Sequence, residues 1–317
     1  MALNYFCVDA ASRFCPCQLA KTDSCLICSL LQGNEVCDCN WQGVCIYQEY
    51  VWNRNKIQNR RKSLTAKIVE KEMITKEMLI IKVLMPIKEM IAEYAQPGAY
   101  AFLRAIDSPE YYDVPLCIVD VNEEAATLVF AVRIVGPKTK SLAAQNDEVA
   151  IRGPYWNGLF GLKYIKSSLN KKWLVIGKGA GQVSLIQVVK NLLRGNNQIS
   201  MFLDPGVIRI NLAEKHLNKL GISTSTVNLY SETDRQIIYE LLKDGFIDFV
   251  FSAGSDKQHK RIKNMIEQSG RHIPLIISNN RKLCCGEGIC GSCETLIDGK
   301  QVHLCKLQLN GISVLEG

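Results

Sequence analysis

The 317-residue chain is poor in histidine, with four, and in aromatic side chains, at 8%. His216, His259, His272 and His303 are scattered among polar helical or loop residues, so none is a candidate acid, base or ligand. No Ser-His-Asp, Cys-His or paired-carboxylate arrangement stands out, and no catalytic residue is assigned. No run approaches the roughly 18 apolar residues needed to cross a bilayer, which excludes a spanning helix. The first residues, MALNYFCVDAASRFCPC, have neither a basic start nor an apolar core, so a secretory leader is not expected and the chain reads as cytoplasmic. Internal repeats and low-complexity tracts are lacking too. A formal net charge of +7 is modest for this length. The one concentrated basic run, Arg54 to Lys62, reads as a solvated linker rather than a nucleic-acid surface.

Cysteine, by contrast, is in excess: fourteen, eight of them (Cys7, Cys15, Cys17, Cys25, Cys28, Cys37, Cys39 and Cys45) within the first 45 residues. A disulfide framework is not expected in a reducing compartment, so metal clusters are the economical explanation. Near the C-terminus, Cys285, Cys290, Cys293 and Cys305 follow the spacing C-x4-C-x2-C-x11-C. Three thiols in one glycine-bearing loop with a fourth standing alone suit a [2Fe-2S] cluster, which needs four converging thiolates and backbone amides turned toward sulfur. Zinc, the rival, more often takes two close pairs separated by a longer span. Cys284 reads as a buried neighbour rather than a ligand. At the N-terminus the candidate ligands are Cys15, Cys17, Cys25, Cys28, Cys37, Cys39 and Cys45, with Cys7 apart. Cys25-x2-Cys28 is a knuckle of either iron or zinc type, so this module is expected to hold an iron-sulfur cluster or zinc.

Cysteine density collapses near Asn53, which sets off residues 1–55 as a Cys-rich module. Residues 63–155 carry six short β-branched runs separated by turn signals, the pattern of a small antiparallel barrel. Residues 156–280 alternate strand and helix, which argues for a parallel sheet wrapped by helices. Residues 281–317 form the cluster subdomain. The expected fold is therefore β plus α/β.

Gly177, Gly179 and Gly181, with Gln182, lie between the apolar strand Trp173 to Ile176 and the apolar stretch Val183 to Leu193. Glycines there let a diphosphate approach the backbone at a helix N-terminus; a tight turn without ligand is the alternative. Asp204, ending the next strand, is either a ribose acceptor or a plain Asp-Pro-Gly turn residue. The segment Ile151 to Gly161 mixes glycine with Tyr155, Trp156 and Phe160, and suits a planar ring or a hydrophobic hinge equally.

In this order, barrel, hinge, nucleotide loop and terminal cluster resemble the ferredoxin-NADP reductase superfamily. The likeness is greatest to the branch holding the electron-transfer subunit of dihydroorotate dehydrogenase B and the small subunit of NADH-dependent reduced ferredoxin:NADP oxidoreductase. The resemblance covers about Ser63 to Gly317. It implies FAD along the barrel, contacted by Pro115, Leu116 and Cys117, by Val132, Arg133 and Ile134, by Gly136, Lys138 and Thr139, and by Gly153, Pro154 and Tyr155. The family's Arg-Pro-apolar-Ser stretch is Val114 to Cys117 here, so one phosphate contact has been lost. The nucleotide loop and Gly254 would border NAD(P)H. The implied role is electron transfer from NAD(P)H through FAD and a [2Fe-2S] cluster to a larger partner. That partner would be a glutamate-synthase-like flavoprotein or a dihydroorotate dehydrogenase catalytic subunit, with ferredoxin a further candidate. The added cysteines raise the prospect of electron bifurcation. A cluster-carrying docking subunit without hydride chemistry is the alternative of another class.

Overall fold

The computed structural model describes residues 6–57, 59–297 and 299–316. A short strand, β1 (Phe6–Cys7), comes first, followed by a six-strand closed barrel: β2 (Leu64–Thr75), β3 (Met78–Leu84), β4 (Tyr100–Ala105), β5 (Val114–Asn122), β6 (Thr127–Arg133) and β7 (Glu148–Tyr155). Their order around the barrel is β2-β3-β6-β5-β4-β7, antiparallel throughout. The two-residue period of a strand sorts side chains by face. On β6, Leu128, Phe130 and Val132 fill the barrel while Val129, Ala131 and Arg133 point outward.

After β8 (Leu159–Phe160), the strands β9 (Lys172–Lys178), β10 (Gln198–Asp204), β11 (Thr224–Thr226), β12 (Phe249–Ala253) and β13 (Leu275–Ser278) form the second sheet. Its order is β11-β10-β9-β12-β13-β8, parallel except for β8 at the edge. The order reverses beside β9, so the crevice at its C-terminal end is where an open α/β sheet receives ligands. A hairpin, β14 (Glu294–Ile297) and β15 (Lys300–His303), and the strand β16 (Leu307–Gln308) complete the chain. β16 pairs antiparallel with β1, so the N-terminal module is docked on the segment that follows Cys305. Among the described residues no helix is long and apolar enough to cross a membrane.

Candidate functional site

The glycine loop after β9 does not open directly into an α-helix. Gly179 to Ser184 form a 3-10 turn, and the α-helix runs Leu185–Arg194. The three glycines answer to different constraints. A Cβ on Gly177 would stand 2.5 Å from the Leu185 side chain, and one on Gly181 would stand 2.7 Å from the Gly254 backbone. Gly179, at φ +53°, is the one with room, its nearest neighbour being 3.9 Å from a Cβ. The Gly181–Gly254 contact brings the two predicted nucleotide loops together. Gly181→Ala should part them and cost about 1–3 kcal/mol by overpacking, read as a lowered thermal midpoint.

Around this crevice several polar side chains are already engaged. Gln182 is buried; its amide donates to the Asp204 carbonyl and to Asn211 Oδ1, both at 3.0 Å. Asp204 is buried, pairs with Lys178 at 2.5 Å, and accepts from the amides of Gly206 at 2.8 Å and Leu229 at 2.9 Å. Its geometry is that of the turn residue. His259, placed by its neighbours in sequence on a polar helix, is fully buried beneath the Gly254 loop. It meets Ser252 Oγ at 2.9 Å and Ser278 Oγ at 3.2 Å, and burial drives its pKa down to about 4, so the ring stays neutral. Ser278 Oγ accepts from the Gly254 amide at 3.1 Å, so this set fixes the loop.

The barrel presents its β5–β6 outer face to the sheet domain. Cys117, Val129 and Ala131 pack against the apolar cluster that contains Val183, Leu185 and Ile186. Burial raises the Cys117 thiol to about 11. Pro115 is exposed, whereas Leu116 and Val132 point into the barrel core and Ile134 packs against it. The Leu116 and Val132 side chains are core, so a ligand outside the barrel would meet their backbone. Arg133 lies at the rim with Glu77 at 3.5 Å. Thr139 Oγ1 accepts from the amides of Val135 at 3.0 Å and Gly136 at 3.2 Å, capping the helix Pro137–Ala143. Lys138 Nζ donates to the Asp113 carbonyl at 3.3 Å, beside Val114, where the resemblance has lost an arginine.

The cysteine loop docks on the other end of the barrel. Gly153, Pro154 and Tyr155 end β7, and Tyr155 is buried, stacked on Tyr100 at 5.2 Å and edge-on to Phe102 at 5.2 Å. A Cβ on Gly286 (φ +72°) would strike the Tyr155 ring at 2.6 Å, so glycine is required there both by conformation and by contact. Arg152 Nη1 donates to the Cys285 carbonyl at 3.0 Å and Nη2 to Asp113 at 2.8 Å; Tyr155 Oη donates to Glu287 at 3.0 Å. Cys293 and Cys305 are buried and Cys285 half-buried. The amides of Glu287, Ile289 and Cys290 turn toward the Cys285 sulfur, and the Cys305 amide donates to Cys293 Sγ at 3.3 Å. Hydrogen bonding to Cys305 draws the Cys285 and Cys293 thiols down, while the same contacts raise Cys305. Tyr100 Oη, buried near Cys305, has no hydrogen-bond partner among the described residues. Inward amides and an orphaned donor fit a sulfur-rich cluster. Cys290 is exposed, with its thiol donating to Ser292 Oγ at 3.4 Å. Among the described residues no three Cys, His, Asp or Glu side chains close on a single point at metal distance. Cys284, expected to be buried, is exposed.

Beneath the loop lies a charge network that sequence reasoning missed. Arg61 belongs to the run expected to be a solvated linker, yet its side chain is 1% exposed. It forks onto Asp9 at 2.7 and 3.1 Å, reaches Glu287 at 3.4 Å, and lies over the rings of Phe14 at 3.8 Å and Tyr155 at 4.4 Å. Lys306, equally buried, pairs with Asp9 and with Glu287 at 2.9 Å. The only sequence signal was Lys306 standing next to Cys305. At the N-terminus, Cys7, Cys15, Cys17 and Cys25 line one small enclosed cavity. Cys28 is buried off its wall, Cys39 half-buried, and Cys37 and Cys45 exposed.

No family model matches the chain. Its sequence is similar to dihydroorotate dehydrogenase B (NAD(+)), electron transfer subunit, of Clostridium acetobutylicum, 26% identical over 67% of this chain and 82% of that one. The Streptococcus mutans subunit of the same name is 24% identical over 67% of this chain and 81% of its own. In fold, the chain is similar to an NADH-dependent reduced ferredoxin-NADP oxidoreductase studied for flavin-based electron bifurcation, with a TM-score of 0.63 and 19% identity over 80% of this chain and 90% of that one. The barrel followed by a parallel sheet gives the chain the fold of that oxidoreductase, and its sequence is similar to the electron transfer subunits of dihydroorotate dehydrogenase B.

Proposed function

We propose that the chain is the flavin and iron-sulfur electron-transfer subunit of an NAD(P)H-dependent oxidoreductase. One observation carries this reading: the barrel touches the glycine-loop cluster through the outer face of β5 and β6, and the cysteine loop through β4 and β7. Bound FAD would supply the conversion of a two-electron hydride into single electrons, and a [2Fe-2S] cluster the one-electron carrier. The chain's own part is to bind and position. Gly179 and the Gly181–Gly254 contact shape the crevice for the nicotinamide nucleotide. Pro115, Cys117 and the backbone of Leu116 and Val132 would face the flavin, with the Lys138 ammonium replacing the lost arginine at its diphosphate. Cys285, Cys290, Cys293 and Cys305 would hold the cluster once Cys290 turns inward from Ser292. Tyr155 and Arg152 fix the separation between the two halves, and burial keeps the Tyr155 phenol protonated as a donor to Glu287.

Electrons would then leave to a catalytic subunit, of dihydroorotate dehydrogenase or glutamate-synthase type. The internal engagement of Gln182, Asp204 and Thr139 favours one second reading, a docking subunit that carries clusters without hydride chemistry. Anaerobic titration of the full chain with NADH and with NADPH separates the two. Oxidised-flavin absorbance that bleaches with one nucleotide, followed by a reduced [2Fe-2S] EPR signal, is the expected outcome. A chain that purifies without flavin, or whose flavin ignores both nucleotides, is the docking subunit.

A further inference from the structure

The cavity lined by Cys7, Cys15, Cys17 and Cys25 has only sulfur to offer. No histidine lines it, and its one carboxylate, Asp9, is committed to Arg61 and Lys306. The Cys28 amide donates to Cys25 Sγ at 3.4 Å, and the backbone amides of Asp9, Ala11 and Leu19 lie beside Cys7, Cys15 and Cys17. That is the donor pattern of an iron-sulfur cluster, whose thiolates and sulfides carry negative charge that amide dipoles offset. The remaining wall, Leu19, Ala20, Leu26, Ile27 and Ile46, is apolar. Cys7, set apart by its sequence position, joins the group because β1 pairs with β16. Cys28, the expected knuckle partner of Cys25, instead takes the amides of Leu31 and Leu30.

Cys7 stands opposite Leu307, two residues beyond Cys305. With strands about 5 Å apart and about 3.3 Å of rise per residue, Cys7 and Cys305 lie on the order of 10 Å apart. A structural zinc has no need of that proximity; an electron carrier does. We propose that Cys7, Cys15, Cys17 and Cys25 ligate one iron-sulfur cluster, which takes single electrons from the C-terminal centre. Each transfer oxidises the C-terminal centre by one electron and reduces this cluster by one, with no bond or proton exchanged. The four sulfurs line the cavity without closing on one point, so ligation draws them inward; the electron path rests on the function proposed above.

The test uses the full chain purified anaerobically, with iron, acid-labile sulfide and zinc measured and EPR recorded after reduction. Cys7→Ser and Cys17→Ala should each lose one cluster's iron and sulfide and one EPR signal. Flavin absorbance and the C-terminal [2Fe-2S] signal should persist and report an intact fold. Cys37→Ser, off the cavity wall, should lose nothing from this centre. Full iron and unchanged EPR in both cavity variants, or zinc in place of iron, overturns the proposal. An unmodified chain that keeps this cluster but lacks flavin or the [2Fe-2S] signal would instead defeat only the electron-transfer reading.

Discussion

Asp9→Asn is expected to loosen the N-terminal module from the body of the protein by about 3–5 kcal/mol, the cost of leaving a buried charge uncompensated. In the native chain Arg61 and Lys306 are balanced by Asp9 and Glu287; without the Asp9 charge, one buried cation is in surplus. The module closes on the body through β1–β16 and through the Val8 amide, which donates to the Lys306 carbonyl at 2.9 Å. Hydrogen exchange at Val8 should therefore quicken by about a hundredfold or more. The double variant Asp9→Asn with Lys306→Met leaves Arg61 facing Glu287 and should recover most of the loss. If the double variant is as loose as the single one, charge balance is not the cause. The network also predicts an acid response. Burial alone would raise the Asp9 carboxyl, but Lys306 and then Arg61 outweigh it and hold the pKa near 2, below its ordinary 3.8. Because the folded value is the lower one, the stabilisation is complete above about pH 4 and is lost as pH falls toward 2. Exchange at Val8 should accelerate across that window.

Cys305→Ser is expected to remove the C-terminal cluster while leaving reduction of the flavin by NAD(P)H intact. Cys305 is buried between Cys293 and Cys285 and closes the set from outside the glycine loop, so serine there takes away the thiolate that no neighbour can supply. The [2Fe-2S] EPR signal should vanish, and electron delivery to a one-electron acceptor should fall to background. Cys284→Ser, an exposed change next to the first predicted ligand, should alter neither. Retention of the signal in Cys305→Ser would remove this cysteine from the ligand set and reopen the zinc alternative.

Much of the architecture was legible in the residue pattern. All six barrel strands fall on the β-branched runs, and the strands and helices of the sheet domain follow the alternation, because burial on one face imposes a period that a linear reading can detect. The glycine loop was legible as a loop, but not the reason for its glycines: two of the three yield to Leu185 and Gly254 rather than to open space. Leu116 and Val132 were carried over as cofactor contacts by resemblance, and strand alternation turns both inward.

Taken alone, the sequence determined the order of the parts, the cysteine spacing at the C-terminus and the barrel-then-sheet class, all of which are local in the chain. Only the tertiary structure decided which distant residues meet. It sank Arg61 from a basic run into a buried pair with Asp9, set Lys306 against Asp9 and Glu287, and brought Cys7 alongside the segment after Cys305. The physical reason is that these buried charges are defined by partners 52 to 297 residues away, and periodicity carries no information about contacts at that separation.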